Sequence, residues 1–473
     1  MQCPTGSAWD LHRNAKGAIS MKNEPAALVQ ASGLNTGAYW MPFTSNRYLK
    51  RNPRSRVLAS AQGAYYTTME GKRLFDCLSG LWCCPLGHGH PKIAEAVAKQ
   101  VKELDYSPAF QMGHPKIFSL AERLVELAPK GMGQVFFGSS GSEAVDTALK
   151  IAVAYHRMKG EASRTRLIGR ERSYHGVGIG GISVGGMSAN RKMFSPLILQ
   201  GVDHLPHTFD AEKMGFSRGQ PQWGAHLADE LERLVALHDA STIAAVIVEP
   251  MQGSAGVLVP PLGYLERLRA ICDKYGILLI FDEVITGFGR LGQPFGAQRF
   301  GVTPDMICFA KIVTNGVIPM GGVIVKPAIY DAFMTGPDTA VELFHGYTYS
   351  GHPVAAAAAH AALDALREED AFKRARELEP VLEQGMHSLK GEPGVADIRN
   401  IGLAAAVEFE PLVEKGTGKP GMRALKVFER GIEEGMLFRF TGETIAVAPP
   451  YISTKAEIET MVEKLRGAIR AAA

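Results

Sequence analysis

The sequence predicts an α/β fold, a mainly parallel central sheet flanked by helices, joined to a smaller α+β domain built from both termini. Three observations lead there. Residues 244–248, 277–281 and 306–310 are short continuous apolar runs, as expected of strands buried on both faces. A charged residue closes each run: Glu249, Asp282 and Lys311. Helical patterns intervene, and strands that alternate with helices make a parallel sheet covered on both sides.

At 473 residues and 46% hydrophobic, the chain exceeds one compact core and should divide into about two domains. The boundaries expected are an N-terminal extension over 1–38, a first part of the small domain over 39–90, the large domain over 91–350 and the rest of the small domain over 351–473. The 51 basic and 48 acidic residues leave a net charge of +3, so neither nucleic acid nor an anionic membrane is an expected partner. The longest apolar stretch, residues 354–366, is interrupted by His360 and Asp364 and falls short of the ~20 residues that span a bilayer. It reads as an alanine-rich core helix. Six cysteines (Cys3, Cys77, Cys83, Cys84, Cys272, Cys308) without C-x-x-C spacing make no disulfide framework or zinc site, and point to a reducing cytoplasm. The first residues lack a basic start followed by an apolar core, which argues against a secretory signal.

In chain order, residues 39–90 are aromatic and punctuated by turns, as a domain of short strands and loops would be. Phe43 and Trp82 taken alone read as core aromatics. His88 and His90 resemble a metal pair but have no third ligand at useful spacing, so a loop role is expected and no metal. Pro91 suits the first position of a helix carrying Ile93, Val97, Val101 and Leu104. Residues 135–137 form a short strand, followed by a glycine-rich turn and helix over 138–159. Ser140 with Glu143 three residues later is a capping box. It places the amides of Gly141 and Ser142 at a helix start, where an anion is welcome. The G-K-[ST] ending of a nucleotide loop is missing, so a phosphomonoester fits better than ATP.

A strand over 166–169 leads to Ser173, Tyr174, His175 and Gly176. Gly176, Gly178 and Gly181 match G-x-G-x-x-G, with Asp203 at about the distance a dinucleotide site requires. The segment after them shows no helical periodicity and runs to Pro196, so the dinucleotide reading is rejected and a flexible active-site loop is expected. Tyr174 can stack on a planar ring. After the strand that ends in Glu249 come a helix over Tyr264–Tyr275 and the Asp282 and Lys311 strands. Ser140, Tyr174, Glu249, Asp282 and Lys311 thus all follow strands and should share one edge, where open α/β sheets bind ligands. The hydroxyls around Thr348 suit a phosphate or a plain turn, and the last domain carries Arg439.

Alone, Asp282 reads as a helix cap and Lys311 as a surface ion pair. Together they ask for a cofactor that needs a lysine amine for covalent attachment and a carboxylate to keep a ring nitrogen protonated, which describes pyridoxal phosphate. In extended chain Val284 faces the same way as Asp282, so a ring touching the carboxylate can rest on the valine.

The motifs WMPFT, LWC, SGSEAVDTALK, SYHG, VEP, DEVITGFGR, FAK followed by TNG, and HGYTYSGHP occur in order from about Trp40 onward. Together they resemble the class III aminotransferases, pyridoxal-phosphate transferases of fold type I, and most closely the omega-amino-acid:pyruvate (beta-alanine:pyruvate) transaminases. The resemblance implies amino transfer from an omega-amino acid or amine to pyruvate or a similar keto acid, by a two-stage ping-pong cycle. It implies that Lys311 holds the cofactor and later moves the proton, that Asp282 pairs with the pyridine nitrogen, and that Val284 and Tyr174 pack on opposite ring faces. His175 is counted beside Tyr174 among the cofactor contacts, and Glu249 lies toward the cofactor's hydroxyl side. Ser140, Gly141 and Ser142 would hold the phosphate, with Thr348 reaching it from the other subunit of a homodimer. Arg439, within R-x-x-G-[DE]-T, would clamp the substrate carboxylate and swing away for amines, while Phe43, Trp82 and Tyr174 border the substrate. Ile312 and the pair Cys84-Pro85 depart from the family's usual wording. Rival readings are a decarboxylase or aminomutase using the same Lys311 and Asp282, a dinucleotide-dependent dehydrogenase, and a non-catalytic binding protein, which would have lost the lysine.

Overall fold

The computed structural model describes residues 37–50, 56–413 and 420–473, so the expected N-terminal extension lies, but for its last two residues, outside the described residues. Two compact units divide the chain, residues 1–60 with 67–71, and residues 61–66 with 72–473. In the first, a short helix over Asn46–Leu49 is tied to the preceding turn by the Asn46 amide, which accepts from Met41 N at 3.0 Å and donates to Met41 O at 2.9 Å.

The second unit is built on a seven-stranded sheet. Its strands are β1 (Gln134–Gly138), β2 (Arg166–Arg170), β3 (Val202–Leu205), β4 (Ile243–Val248), β5 (Leu278–Asp282), β6 (Met306–Ala310) and β7 (Gly321–Val325), in the order β1-β7-β6-β5-β4-β2-β3. The neighbours from β6 to β3 run parallel, and β4, β5 and β6 are buried at every residue, as their unbroken apolar runs require. β7 is antiparallel to both β6 and β1. The reason is length: residues 311–320 hold only a single 3-10 turn, too little for the helical crossover that a parallel strand needs. Register then sets the site, because Val248 lies beside Phe281 and Asp282 beside Cys308. Glu249 is therefore level with Asp282, and Lys311 lies just beyond, on the same edge.

The main helices are α1 (Pro91–Glu103), α2 (Pro115–Leu127), α3 (Gly141–Met158), α4 (Tyr264–Tyr275), α5 (Pro353–Glu368), α6 (Ala371–His387), α7 (Arg423–Glu433) and α8 (Lys455–Ala471). α5 is the alanine-rich core helix expected; its small side chains let it pack closely against both α1 and α2. The two polar interruptions are used there: Asp364 accepts from Arg123 at 2.8 Å, and His360 faces Ser119 and the Lys116 carbonyl. None of the helices is long and apolar enough to cross a membrane among the described residues. His88 and His90 act as the loop residues they were expected to be, paired with Asp76 and Glu369 at 2.9 Å each.

A second, antiparallel sheet contains β8 (Val395–Ile401), β9 (Ala404–Phe409), β10 (Arg439–Thr441) and β11 (Thr444–Val447), in the order β8-β9-β11-β10. Arg73–Asp76, from the N-terminal part, pairs in parallel with Met436–Leu437, so early and late segments share one element. The C-terminal helix is locked by charge. Glu392, with a side chain only 9% exposed, accepts two hydrogen bonds from Arg470, at 2.7 and 2.8 Å, and one from Arg466 at 2.8 Å.

Those hydrogen bonds, from Arg470 first and Arg466 second, hold the Glu392 carboxyl down to about 2, against 4.5 ordinarily. Glu392→Gln is expected to cost about 1–2 kcal/mol at neutral pH, allowing for the exposed Arg470. The wild-type advantage is complete above the unfolded value near 4.5 and is lost as pH falls through about 2. Urea melts of both proteins at pH 7 and in acid should show the gap closing; a constant gap would mean that the loss is not electrostatic.

Candidate active site

Lys311 is the first residue after β6, and its φ of 54° lies in the left-handed region, a conformation that costs a side-chain-bearing residue about 1–2 kcal/mol. The strain is held from behind. Asn315, also left-handed and 2% exposed, accepts from Leu86 N at 3.0 Å and donates to Gly87 O at 2.8 Å, pinning the turn that carries the lysine. Burial pushes the Lys311 amine below the ordinary lysine value, against the opposing pull of Asp282, then Cys83 and Glu249. An amine in that state loses its proton more readily than a surface lysine.

Asp282, the last residue of β5, is 5% exposed. One carboxylate oxygen accepts from Val284 N at 3.2 Å, and the other pairs with His175 Nδ1 at 2.8 Å. His175 is 1% exposed, and its second ring nitrogen, Nε2, has no partner among the described residues. Glu249, 4% exposed, accepts from Tyr174 N at 2.9 Å and Gly253 N at 3.2 Å. Burial pushes its carboxyl up to about 7, with His175 opposing and Asp282 adding to the rise. Tyr174 is half-buried beside this group, and its phenol is raised by burial and by Asp282, and lowered by Arg439.

The anion end forms where β1 meets α3. Ser140 caps α3, its hydroxyl oxygen accepting from Glu143 N at 3.1 Å. The reciprocal bond differs from the expected capping box, because the Glu143 carboxylate accepts from Ser139 N at 2.6 Å, one residue earlier. Ser142 Oγ accepts from Val177 N at 3.0 Å. Both serine hydroxyls therefore receive a backbone N–H and keep their own O–H free to donate, next to the positive end of a long helix. Gly141 is a close approach: a Cβ there would stand 3.0 Å from both methyls of Val284, so the helix start and the valine face each other across glycine.

The glycine run behaves differently from the loop expected. Residues Ile179–Val184 and Ser188–Met193 are short helices, where no helical pattern was read. Tertiary contacts override local preference. Gly181 N donates to Asp146 on α3 at 2.8 Å, and a Cβ at Gly178 would come within 2.3 Å of the same carboxylate. A Cβ at Gly176, where φ is 85°, would stand 2.3 Å from Ser142 Oγ. These glycines allow the chain to lie against the first turns of α3, and so serve close packing.

The remaining predicted residues differ in exposure. Arg439 is exposed at the start of β10; partial burial lowers its value, and Tyr174 acts on its charge. Thr348 is exposed, its carbonyl accepting from Tyr106 at 3.0 Å. Trp82 is 5% exposed with a φ of 67°. Phe43 belongs to the smaller unit and is 68% exposed. Sequence reasoning missed Arg170, fully buried, which donates to the Glu249 carbonyl at 2.6 Å and fixes the turn carrying that acid. Its only signal was an arginine ending a strand whose three middle residues carry no charge.

Comparison with known proteins identifies the family. The family Aminotransferase class-III matches residues 48–469. An omega-aminotransferase of Caulobacter vibrioides is 58% identical, covering 91% of this chain and 96% of the relative. A beta-alanine–pyruvate aminotransferase of Pseudomonas aeruginosa is 50% identical, covering 93% and 97%. Among solved structures, a PLP-bound amine transaminase from an uncultivated Pseudomonas species superposes with a TM-score of 0.83 at 37% identity, covering 92% of this chain and 99% of that one. A fold with its charged strand ends on one edge, and a family match over nearly its whole length, lead to one conclusion: the chain belongs to the class III aminotransferases and uses pyridoxal phosphate.

Proposed function

We propose that this enzyme moves an amino group from an omega-amino acid or amine to pyruvate or a similar keto acid, in two half-reactions, with Lys311 as the covalent anchor and proton carrier. The observation that carries the assignment is the placement of Lys311 directly after β6 and of the buried Asp282 at the end of the adjacent parallel β5, so that a lysine and a carboxylate meet on one sheet edge. The residues fit pyridoxal phosphate on features of this site: a strained, partly accessible lysine, a carboxylate held by His175, and a helix start with two serine O–H donors.

When bound, the cofactor supplies an electron sink for the pair left on carbon after proton loss. In this reading Asp282 keeps a proton on the ring nitrogen by ion pairing, and the buried His175 bond fixes its carboxylate in place. Val284 supports one ring face and Tyr174 the other. The Ser140, Gly141 and Ser142 segment binds the phosphate through hydroxyls and backbone N–H groups. With the cofactor bound, Lys311 would be the group that holds it covalently and the amine that moves a proton between carbons, a task suited to an amine with a lowered value. Glu249, with its carboxyl near 7, can keep or release a proton beside the group's hydroxyl side. Arg439 reads the substrate carboxylate through a planar guanidinium, and Trp82 bounds the apolar part of the pocket.

A homodimer is part of the proposal. Phe110, Met112, Phe344 and Tyr349 are 59–90% exposed, and Phe110 lies against Gly346, close to the exposed Thr348. An apolar surface of that kind marks a protein contact, and Thr348 is assigned to the partner's phosphate. The described cysteines are all free thiols, in keeping with a cytoplasmic enzyme.

The test is stoichiometric. Amine donor alone should give one carbonyl product per site and then stop, and pyruvate added next should yield an equal amount of alanine. Carbon dioxide or an isomerised amine formed without a keto acid would instead identify a decarboxylase or aminomutase. Arg439→Ala is expected to lower kcat/KM for carboxylate-bearing donors and for pyruvate by about 10- to 100-fold, the worth of a charged hydrogen-bonded pair. The half-reaction with simple amines should change far less. Unchanged kinetics for every substrate would remove Arg439 from the site.

A further inference from the structure

Beside Lys311 lies a pair that this reading does not use. Cys83 and Cys84 are adjacent, both partly accessible, and their sulfurs are 3.6 Å apart. The other described cysteines, Cys77, Cys272 and Cys308, are fully buried. The turn that presents the pair is strained and braced. Ser79, Gly80 and Trp82 all have positive φ, and Cys83 N and Cys84 N both donate to the Ser79 carbonyl, at 2.8 and 3.0 Å. The Ser79 hydroxyl donates to Ala448 O at 2.7 Å and accepts from the buried Arg290 at 3.1 Å. Two glycines wall the sulfurs: a Cβ at Gly316 would stand 3.0 Å from each, and one at Gly80 3.2 Å from each. Gly316 belongs to the turn of the catalytic lysine, since its N–H donates to the Lys311 carbonyl at 3.2 Å.

We propose that Cys83 and Cys84 form an oxidisable dithiol, in which Cys83 reacts with a hydroperoxide, Cys84 resolves the product as a vicinal disulfide, and the change displaces the Gly316 turn that follows Lys311. The contact and accessibility of the two sulfurs make the dithiol; the order in which they react follows from the charge around them. A hydrogen bond from the Cys84 thiol, with help from Leu81 N–H and the Lys311 charge, brings Cys83 down to about 6 against burial and Asp76. The same bond, with burial, raises Cys84, which therefore keeps its proton. Cys83 is therefore the thiol of the pair that ionises more readily, and a partly accessible thiolate next to a second thiol is the arrangement that peroxide attacks.

In the first step the Cys83 sulfur bonds to one peroxide oxygen and the O–O bond breaks; the departing oxygen takes up a proton as water or alcohol, leaving a sulfenic acid. In the second, the Cys84 sulfur attacks the Cys83 sulfur, the S–O bond breaks, and the hydroxyl leaves with the Cys84 proton as water. The two sulfurs give up two electrons, and the peroxide receives them. Adjacent Cα atoms are about 3.8 Å apart, below the ~4.4–6.8 Å span of ordinary disulfides, so the bond is strained and readily reduced by a dithiol. Closing the sulfurs from 3.6 Å to a bond withdraws them from Gly316, which they now support.

The experiment titrates the full-length holoenzyme with hydrogen peroxide and follows the mass of the peptide containing both residues, in parallel with transaminase rate. That peptide should lose two hydrogens, activity should fall in proportion to the oxidised fraction, and dithiothreitol should restore both. In Cys84→Ser, oxidation should stop at a sulfenic acid on Cys83 that dimedone traps; in Cys83→Ser, the peptide should stay unoxidised over the same range. A wild-type peptide that gains oxygen irreversibly, a dimedone adduct on Cys84, or a disulfide that leaves the rate unchanged would each overturn the proposal. The inhibition arm rests on the assigned transaminase activity. The mass arm does not, so failure of one reading is distinguishable from failure of the other.

Discussion

Replacement of Lys311 by alanine is expected to lower amino transfer by at least about 10³-fold, because the proposed mechanism gives one side chain the roles of both covalent anchor and proton carrier. Kinetics of the reconstituted variant with a saturating amine and pyruvate would measure it. Retention of more than about a tenth of the wild-type rate would exclude Lys311 from both roles. The electrostatics make a second, activity-independent statement. Since burial holds the amine below its ordinary value while Asp282 raises it, acylation of the cofactor-free protein should label Lys311 with a midpoint below that of surface lysines. Removing the Asp282 charge should shift that midpoint lower still. An unchanged midpoint would show that the two groups do not interact.

Asp282→Asn should be nearly as damaging, with kcat reduced by roughly 10²–10³-fold, the scale set by loss of a preorganised charge in a water-poor site. Asparagine preserves the shape and can still accept from Val284 N, but it offers a neutral amide where the proposed pairing with a protonated ring nitrogen needs an anion. It also removes the carboxylate partner of His175 Nδ1, so that ring loses its orientation. Thermal melts beside steady-state kinetics separate the outcomes. A large fall in kcat with a melting temperature close to wild type is expected, whereas kinetics within twofold of wild type would refute the ion-pair role.

Much of this site was readable before any coordinates. Strands buried on both faces cannot hold charge, so Glu249, Asp282 and Lys311 at the ends of apolar runs announce an edge where charge has a use. Ser140 and Glu143 mark a helix start by spacing alone. Other features rest on residues far apart in the chain. The His175–Asp282 bond joins positions 107 residues apart, and no local pattern in either segment specifies it. The glycines after Tyr174 were misread for the same reason, since their helices depend on Asp146 and Ser142, which belong to α3.

The division follows from the range of the forces. Burial, periodicity and capping act over a few neighbouring residues, so the sequence by itself determined a parallel α/β sheet, its charged edge, the capped helix start and the cofactor those imply. Desolvation and contact act through space. Only the tertiary structure decided that Lys311 would be strained and depressed, that Gly141 would admit Val284, and that Cys83 and Cys84 would rest against the lysine's own turn.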